Sequence, residues 1–299
     1  MPAEFSAGRW ERDYRRMAGT AFRRVPFYRD QWVAAGRELD EPECVPSAEL
    51  AGQLHRLCPF ARPFDASQEP SAWIGDGLDL REALALAGAP RRAPVLEVRS
   101  AVLDRRRLGW GGPRYGVLLA PEAKVVDEGR RRALDSAALG LAAEAGQAVL
   151  VGERPALDAL LPELAGVRIT TVERMTADQA VRRTATRKRT TAGTTTSAAQ
   201  GKGATAGAAL GEGATAEEVV PGLRVVHDPH LGYFAATVPA CGGTHVLWRR
   251  FHARQAGGAL AVTALRRTRP VLAGVIPDGG ASLTLATCPE HGTPIVATH

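Results

Sequence analysis

From residue 8 onward, apolar side chains recur with a helical period. Trp10, Tyr14, Met17, Ala18, Ala21 and Phe22 fall at three- and four-residue steps, with arginines between them. This spacing predicts a mainly helical stretch over 8–36, apolar on one face and charged on the other. Pro26 interrupts it, because proline lacks the backbone N–H that a helix interior needs. Residues 37–80 are rich in Pro, Asp and Ser and predict mostly loop with short helices.

The pattern then changes period. Val95–Val98 and Gly116–Leu119 are short apolar runs of strand type. Residues 127–145 carry a helical pattern that stops at Gly146. Ala148–Val151 is a buried strand closed by Gly152, Pro155–Leu164 a helix with proline in its first turn, and Val167–Val172 a further strand. Strands alternating with helices predict βαβ units and a largely parallel sheet. From 219 to 298 the runs are strand-like: Leu223–Val226, Gly232–Ala235, Ala259–Thr263 and Ser282–Leu285, with Gly, Pro and Asp turns between several of them. The expected fold class is α/β: a parallel βαβ layer followed by a mixed or antiparallel β-rich C-terminal part. The expected organisation is an N-terminal helix plus α/β part over 1–181, a low-complexity linker or loop over 182–216, and the β-rich part over 217–299.

Composition bounds this picture without changing it. The chain has 299 residues, 45% hydrophobic, enough for a sizeable core. No apolar run approaches the length of a membrane span, and the N-terminus has no apolar signal core, so the expected location is cytoplasmic. The net charge of +6 hints at nucleic acid. However, Arg182, Arg183, Arg187, Lys188, Arg189 and Lys202 stand against Glu212 alone within 182–216, a segment too poor in apolar side chains to offset chain entropy. The remainder is near neutral, so a folded nucleic-acid face is not expected. Within the same segment, Gly193–Ser197 with Gly201 and Lys202 lacks the spacing of a phosphate loop. No G-x-S-x-G elbow or G-x-G-x-x-G after a strand is present, which argues against a hydrolase triad and a dinucleotide fold.

Four cysteines, Cys44, Cys58, Cys241 and Cys288, are too few for a disulfide scaffold. Two lie beside histidines: Cys241-Gly-Gly-Thr-His245 and Cys288-Pro-Glu-His291. Each pair brings a thiolate and an imidazole to one turn, and zinc takes four such ligands tetrahedrally. A closed set of four protein ligands makes the metal structural rather than catalytic. His252 is a reserve ligand. The bland reading is two buried thiols and surface histidines.

Several of these residues resemble the phenylacetate-CoA ligase branch of the AMP-forming adenylate-forming enzymes. Val25-Pro-Phe-Tyr-Arg29 is similar to the segment after that family's first helix. Residues 148–169, 240–253, 258–272 and 288–294 are similar to its strand–helix segment, its cysteine–histidine–tryptophan run, its G-E-L-V-type strand and its C-P-C-G-R turn. The resemblance implies zinc at Cys241, His245, Cys288 and His291, since some members bind it there. It aligns Asp278 with the family's ribose-binding aspartate; a simple turn before Gly279-Gly280 is the alternative. The departures weigh against ATP or AMP as cofactors. Asp65–Ser71 stands where a glycine- and threonine-rich phosphate loop belongs, Leu231–Ala235 lacks the magnesium-binding glutamate, and the sequence ends at His299 without a counterpart of the C-terminal domain and its lysine.

The favoured expectation is a degenerate acyl/aryl-CoA ligase-like protein, without ordinary ATP-dependent chemistry, that binds an acyl or aryl small molecule, CoA or a carrier, or a protein partner. Two alternatives stand beside it: a divergent active ligase needing a partner subunit, and a zinc-stabilised interaction protein.

Overall fold

The computed structural model describes residues 4–36, 42–51, 53–59, 77–100, 112–183, 222–267 and 269–298. Asp65–Ser71, residues 109–111, most of the 182–216 segment including Gly193–Ser197, Gly201 and Lys202, and His299 lie outside the described residues.

The apolar stripe at the N-terminus forms helix α1 (Ala7–Arg24), opened by Ser6, whose hydroxyl accepts from Arg9 N at 3.5 Å. Val25 breaks the helix with an extended backbone, and Pro26 sits in the first turn of α2 (Pro26–Ala34). The buried face includes Trp10, Tyr14, Met17, Tyr28 and Trp32. Two long-range bonds pin these helices to the C-terminal part of the chain. The Trp10 indole donates to Phe251 O at 2.8 Å, and Tyr28 Oη donates to Val271 O at 3.1 Å while accepting from Ala273 N.

Strand β1 (Val45–Pro46) and helix α3 (Gly77–Leu86) follow. Strands β2 (Val95–Arg99) and β3 (Tyr115–Leu119) are buried throughout. Helix α4 (Glu128–Ala145) is capped by the Asp127 carboxylate and ends at Gly146, whose φ of 61° suits a residue without a Cβ. It lies so close to β3 that a Cβ on Gly116 would meet the Ala138 Cβ at 2.9 Å. Then come β4 (Gln147–Gly152), α5 (Arg154–Leu160) and β5 (Arg168–Met175). The later strands are β6 (Leu223–Asp228), β7 (Gly232–Thr237), β8 (Thr244–Val246), β9 (Phe251–Ala256), β10 (Ala259–Ala264), β11 (Val275–Ile276), β12 (Leu283–Thr287) and β13 (Pro294–Thr298).

Nine strands form one sheet in the order β12-β13-β8-β7-β6-β5-β4-β2-β3, and β1-β11-β10-β9 form a second. From β3 to β6 the pairing is parallel; from β6 to β12 it is antiparallel. The expected mixed α/β architecture is therefore observed. The β5–β6 pairing, Val172↔Leu223 to Met175↔Val226, joins strands from either side of the 182–216 segment into one sheet.

Local differences have physical reasons. Helix α3 begins within the 37–80 stretch expected to be mostly loop with short helices; it packs against β7 and buries Leu80, Ala83 and Leu84. Trp248–Arg250 form a turn closed by Arg250 N→Leu247 O at 2.8 Å, and Phe251 begins β9. Strands β8, β9 and β13 were not expected, because His, Arg, Gln and Thr dilute their apolar signal.

Candidate functional site

Two turns at one end of the large sheet carry the cysteines and histidines. Val238-Pro-Ala-Cys-Gly-Gly243 links β7 to β8, and Cys288-Pro-Glu-His-Gly-Thr293 links β12 to β13. They share one backbone scheme. Val238 N donates to Gly243 O and Gly242 N to Val238 O; likewise Cys288 N donates to Thr293 O and Gly292 N to Cys288 O. Gly242 and Gly292 adopt φ of 66° and 64° at matching places, a conformation side chains resist. This internal repeat, with proline second and glycine fifth, is legible in the sequence once the two turns are aligned, and reading the half-sites separately misses it. In the first turn Val238 occupies the position of Cys288, and the second ligand comes instead from His245 on β8.

Pairing of β8 with β13, Val296↔Thr244 and Ile295↔His245, brings the turns together. The Cys241 and Cys288 Sγ atoms and one ring nitrogen each from His245 and His291 then lie within 4.8 Å of one another. Cys241 Sγ is 3.0 Å from His245 Nε2, and Cys288 Sγ is 3.4 Å from His291 Nδ1. His245 Nδ1 is 2.8 Å from Thr293 Oγ1, which leaves Nε2 to face the thiols. Gly243 N donates to Cys241 Sγ at 3.3 Å.

Burial holds the His245 imidazole neutral, with its pKa pushed down to about 4 and the His291 charge adding to the effect. Burial pushes the Cys288 thiol up, but hydrogen bonds from the His291 side chain and the Glu290 and His291 backbone outweigh it and lower it overall. Burial raises Cys241, opposed by the Gly243 amide. Two thiols and two imidazoles converging this closely could hold a metal ion, and the donor set fits tetrahedral coordination.

The reserve ligand His252 lies elsewhere. Its ring stacks on Tyr14 at 4.2 Å and its Nε2 is 3.3 Å from Glu11 Oε2. Cys44 approaches Arg254, and Cys58 is buried. Ser47, Asp228 and His230 do meet, but not as a triad. Ser47 is buried and donates to Asp228 Oδ1 at 2.7 Å, with His230 Nδ1 2.9 Å from the same hydroxyl, and Asp228 Oδ1 also accepts from the backbone of His230 and Leu231. The carboxylate closes a turn rather than orienting the histidine.

Asp278, the candidate cofactor residue, lies at the opposite end of the sheet from the metal cluster, beside the carboxyl ends of β4, β5 and β6. A cleft of about 350 Å³ opens there, and open α/β sheets take ligands at this edge. Asp278 is exposed, and its backbone N donates to Asp228 Oδ2 at 3.2 Å. The other charged groups lining the cleft are Glu153, Arg154, Glu173, Arg174 and Arg183. Each arginine meets a carboxylate. Arg154 and Arg183 approach Glu173 at 3.3 and 2.7 Å, and Arg174 approaches Glu153 at 3.5 Å. His227 also lines the cleft. Its Nε2 is buried with no hydrogen-bond partner, and burial, with the charges of Arg174 and Arg99, holds the imidazole neutral.

Beneath lies a buried network that sequence reasoning missed. Glu97 accepts from Tyr233 Oη at 2.5 Å and from Tyr115 Oη, and pairs with Arg99 at 2.7 Å. Burial, reinforced by the Glu97 charge, raises the Tyr115 and Tyr233 phenols far enough to keep them neutral donors.

No protein-family model matches the chain, and no curated protein sequence matches it. Among solved structures it is similar to 2-hydroxyisobutyryl-CoA ligase in complex with 2-HIB-AMP and CoA in the thioesterification state. That match has a TM-score of 0.52 at 11% identity and covers 98% of this chain and 68% of that one. The same ligase in the postadenylation state with 2-HIB-AMP gives a TM-score of 0.51 at 12% identity, covering 98% and 67%. Identity this low shows a shared fold alone, the acyl-CoA ligase fold that the sequence resemblance implied. No described helix is long and apolar enough to cross a membrane.

Proposed function

We propose that this chain is a cytoplasmic, phenylacetate-CoA ligase-like protein that binds an acyl or aryl small molecule, CoA or a carrier, or a protein partner, without ordinary ATP-dependent ligation. What supports the loss of ATP chemistry is the charge balance of the cleft at the carboxyl ends of β4–β6. Among its described lining residues, three arginines face Glu153, Glu173 and Asp278, and every arginine has a carboxylate partner. Stabilising a transferring phosphoryl group calls for uncompensated positive charge. Here the guanidinium groups are already neutralised, and a triphosphate entering the cleft would meet three carboxylates.

In this reading Cys241, His245, Cys288 and His291 hold a structural zinc. It supplies a cross-link between the two turns, and the chain's own part is to present two cysteine sulfurs and two imidazole nitrogens from a preformed pair of hairpins. The Thr293 hydroxyl fixes the His245 tautomer.

One observation favours the second reading, a divergent active ligase completed by a partner subunit. Asp278 lines the cleft at the carboxyl ends of β4–β6, the edge at which open α/β sheets take ligands. Calorimetric titration with Mg·ATP and with AMP separates the two. The proposal expects no heat of binding up to millimolar nucleotide. Saturable binding that is lost in Asp278→Asn would sink it in favour of the active ligase.

A further inference from the structure

Cys241 and Cys288 bring two sulfurs together from separate turns. The four donor atoms of the cluster lie within 4.8 Å of one another, so the sulfurs stand no further apart than that. Side-chain rotation and a small shift of one turn would bring them to the bond length of a disulfide, about 2.05 Å. The turns are held side by side without an ion. Thr244 and His245 of β8 pair with Val296 and Ile295 of β13, and His245 Nδ1 stays 2.8 Å from Thr293 Oγ1. Both turns also have room to adjust, since a Cβ on Gly242 or on Gly292 would meet no atom within 4 Å. A dithiol framed by backbone pairing in this way has a second bonding option besides a metal.

The two sulfurs differ in access. Cys241 is half-buried, with the Gly243 amide donating to its Sγ at 3.3 Å, whereas Cys288 is 2% exposed. An oxidant arriving from solvent therefore meets Cys241 first, with Cys288 behind it as the thiol that resolves the product. Cys44, beside Arg254, and the buried Cys58 do not belong to the cluster.

We propose that Cys241 and Cys288 are the site of a reversible disulfide formed by hydrogen peroxide, which exchanges a metal cross-link between the two turns for a covalent one and releases the ion. The Cys241 sulfur attacks the peroxide: an S–O bond forms, the O–O bond breaks, and the leaving hydroxide takes a proton to become water. The Cys288 sulfur then attacks Cys241, the S–S bond forms, and the oxygen leaves as a second water. Two thiols and one peroxide thus give one disulfide and two waters, with two electrons passing from sulfur to oxygen. A dithiol reductant reverses the change. The inference rests on the structural-zinc reading for the ion that is released, but not for the disulfide itself. Release also frees the nitrogens of His245 and His291, which line a cavity of about 520 Å³ together with Phe5, Leu86 and Trp248.

The test treats the full zinc-loaded chain with hydrogen peroxide. Zinc release is read with a chromogenic chelator, free thiols by titration, and disulfide-linked peptides by mass spectrometry. The expected result is loss of the zinc and of two of the four thiols, with one cross-linked peptide joining Cys241 to Cys288. Dithiothreitol with added zinc restores the starting state. The oxidised chain should melt above the chelated, reduced chain, because a cross-link remains. In Cys288→Ser the sulfenic acid at Cys241 has no thiol to resolve it and should be captured by dimedone, while Cys241→Ser should take no label at Cys288. Circular dichroism checks that both variants fold, and where one does not, the wild-type peptide map decides. Retention of all four thiols in excess peroxide, or a bridge from either cysteine to Cys44 or Cys58, would overturn the proposal. Dimedone label at Cys288 would overturn Cys241 as the attacking sulfur. Protein that carries no zinc yet forms the Cys241–Cys288 bridge would remove the zinc reading and leave the disulfide standing.

Discussion

Removing the metal tests whether the two turns form a cross-link. The four donor atoms stand within 4.8 Å of one another on hairpins already paired through β8 and β13, so the folded chain presents a formed site that the unfolded chain lacks. An ion that binds only the folded state stabilises it by mass action, about 4 kcal/mol when free metal is a thousandfold above its dissociation constant. In a chain of this size each kcal/mol moves the melting temperature by about 2–4 °C, so stripping the metal should lower it by roughly 8–16 °C. Purified protein should contain about one zinc per chain, as a single four-ligand site requires. Cys288→Ser, which removes a buried thiol, should bring metal content to near zero and abolish the effect of chelator on melting. His252→Ala should leave the metal content at one, because His252 stacks on Tyr14 outside the cluster. Elemental analysis and thermal melting, each with and without chelator, read these outcomes. If Cys241→Ser and Cys288→Ser both leave metal content and melting unchanged, the cross-link does not exist.

Two further perturbations probe buried polar groups elsewhere in the fold. Asp79 is buried and accepts hydrogen bonds from both Arg250 and Arg267, and Arg267 in turn donates to Leu231 O at 2.6 Å. Asp79→Ala strands two guanidinium groups and should cost about 3–5 kcal/mol, read from urea midpoints; a loss below about 1 kcal/mol would refute the buried pairing. Burial pushes His252 down to about 4, with Glu11 opposing and the Arg254 charge adding to the shift. Its unfolded pKa lies near 6.5, so the unfolded chain takes up the proton first. Stability tied to His252 is therefore whole above pH 6.5 and is lost as the pH falls towards 4, by up to about 3 kcal/mol. His252→Gln should remove that part of the acid limb. Urea midpoints at pH 7.5 and 4.5 that keep a constant difference between variant and wild type would contradict the assignment.

Short-range patterns in the sequence determined much of the architecture. Helix α4 runs between an aspartate cap and a left-handed glycine, and β2, β3 and β4 are mainly apolar runs, broken in β2 by Glu97 and Arg99, all features encoded in adjacent residues. The cysteine–histidine cluster was legible for the same reason, since Cys241 with His245 and Cys288 with His291 are each neighbours along the chain. Asp278 was singled out only through a family resemblance, and its own neighbours along the chain, Pro277 and Gly279, suit a simple turn equally well.

Only the tertiary structure decided how these pieces meet. The β8–β13 pairing joins two half-sites that are remote in sequence, and the β5–β6 pairing closes one sheet across residues 182–216. Glu97 receives the phenols of Tyr115 and Tyr233, the latter 136 residues away, and Asp79 receives Arg250 and Arg267. A lone carboxylate in an apolar run gives no sign of which distant cation or phenol will satisfy it. Periodicity reports what a residue's neighbours along the chain are doing, whereas charge balance in a cleft depends on groups brought together only when the sheet forms.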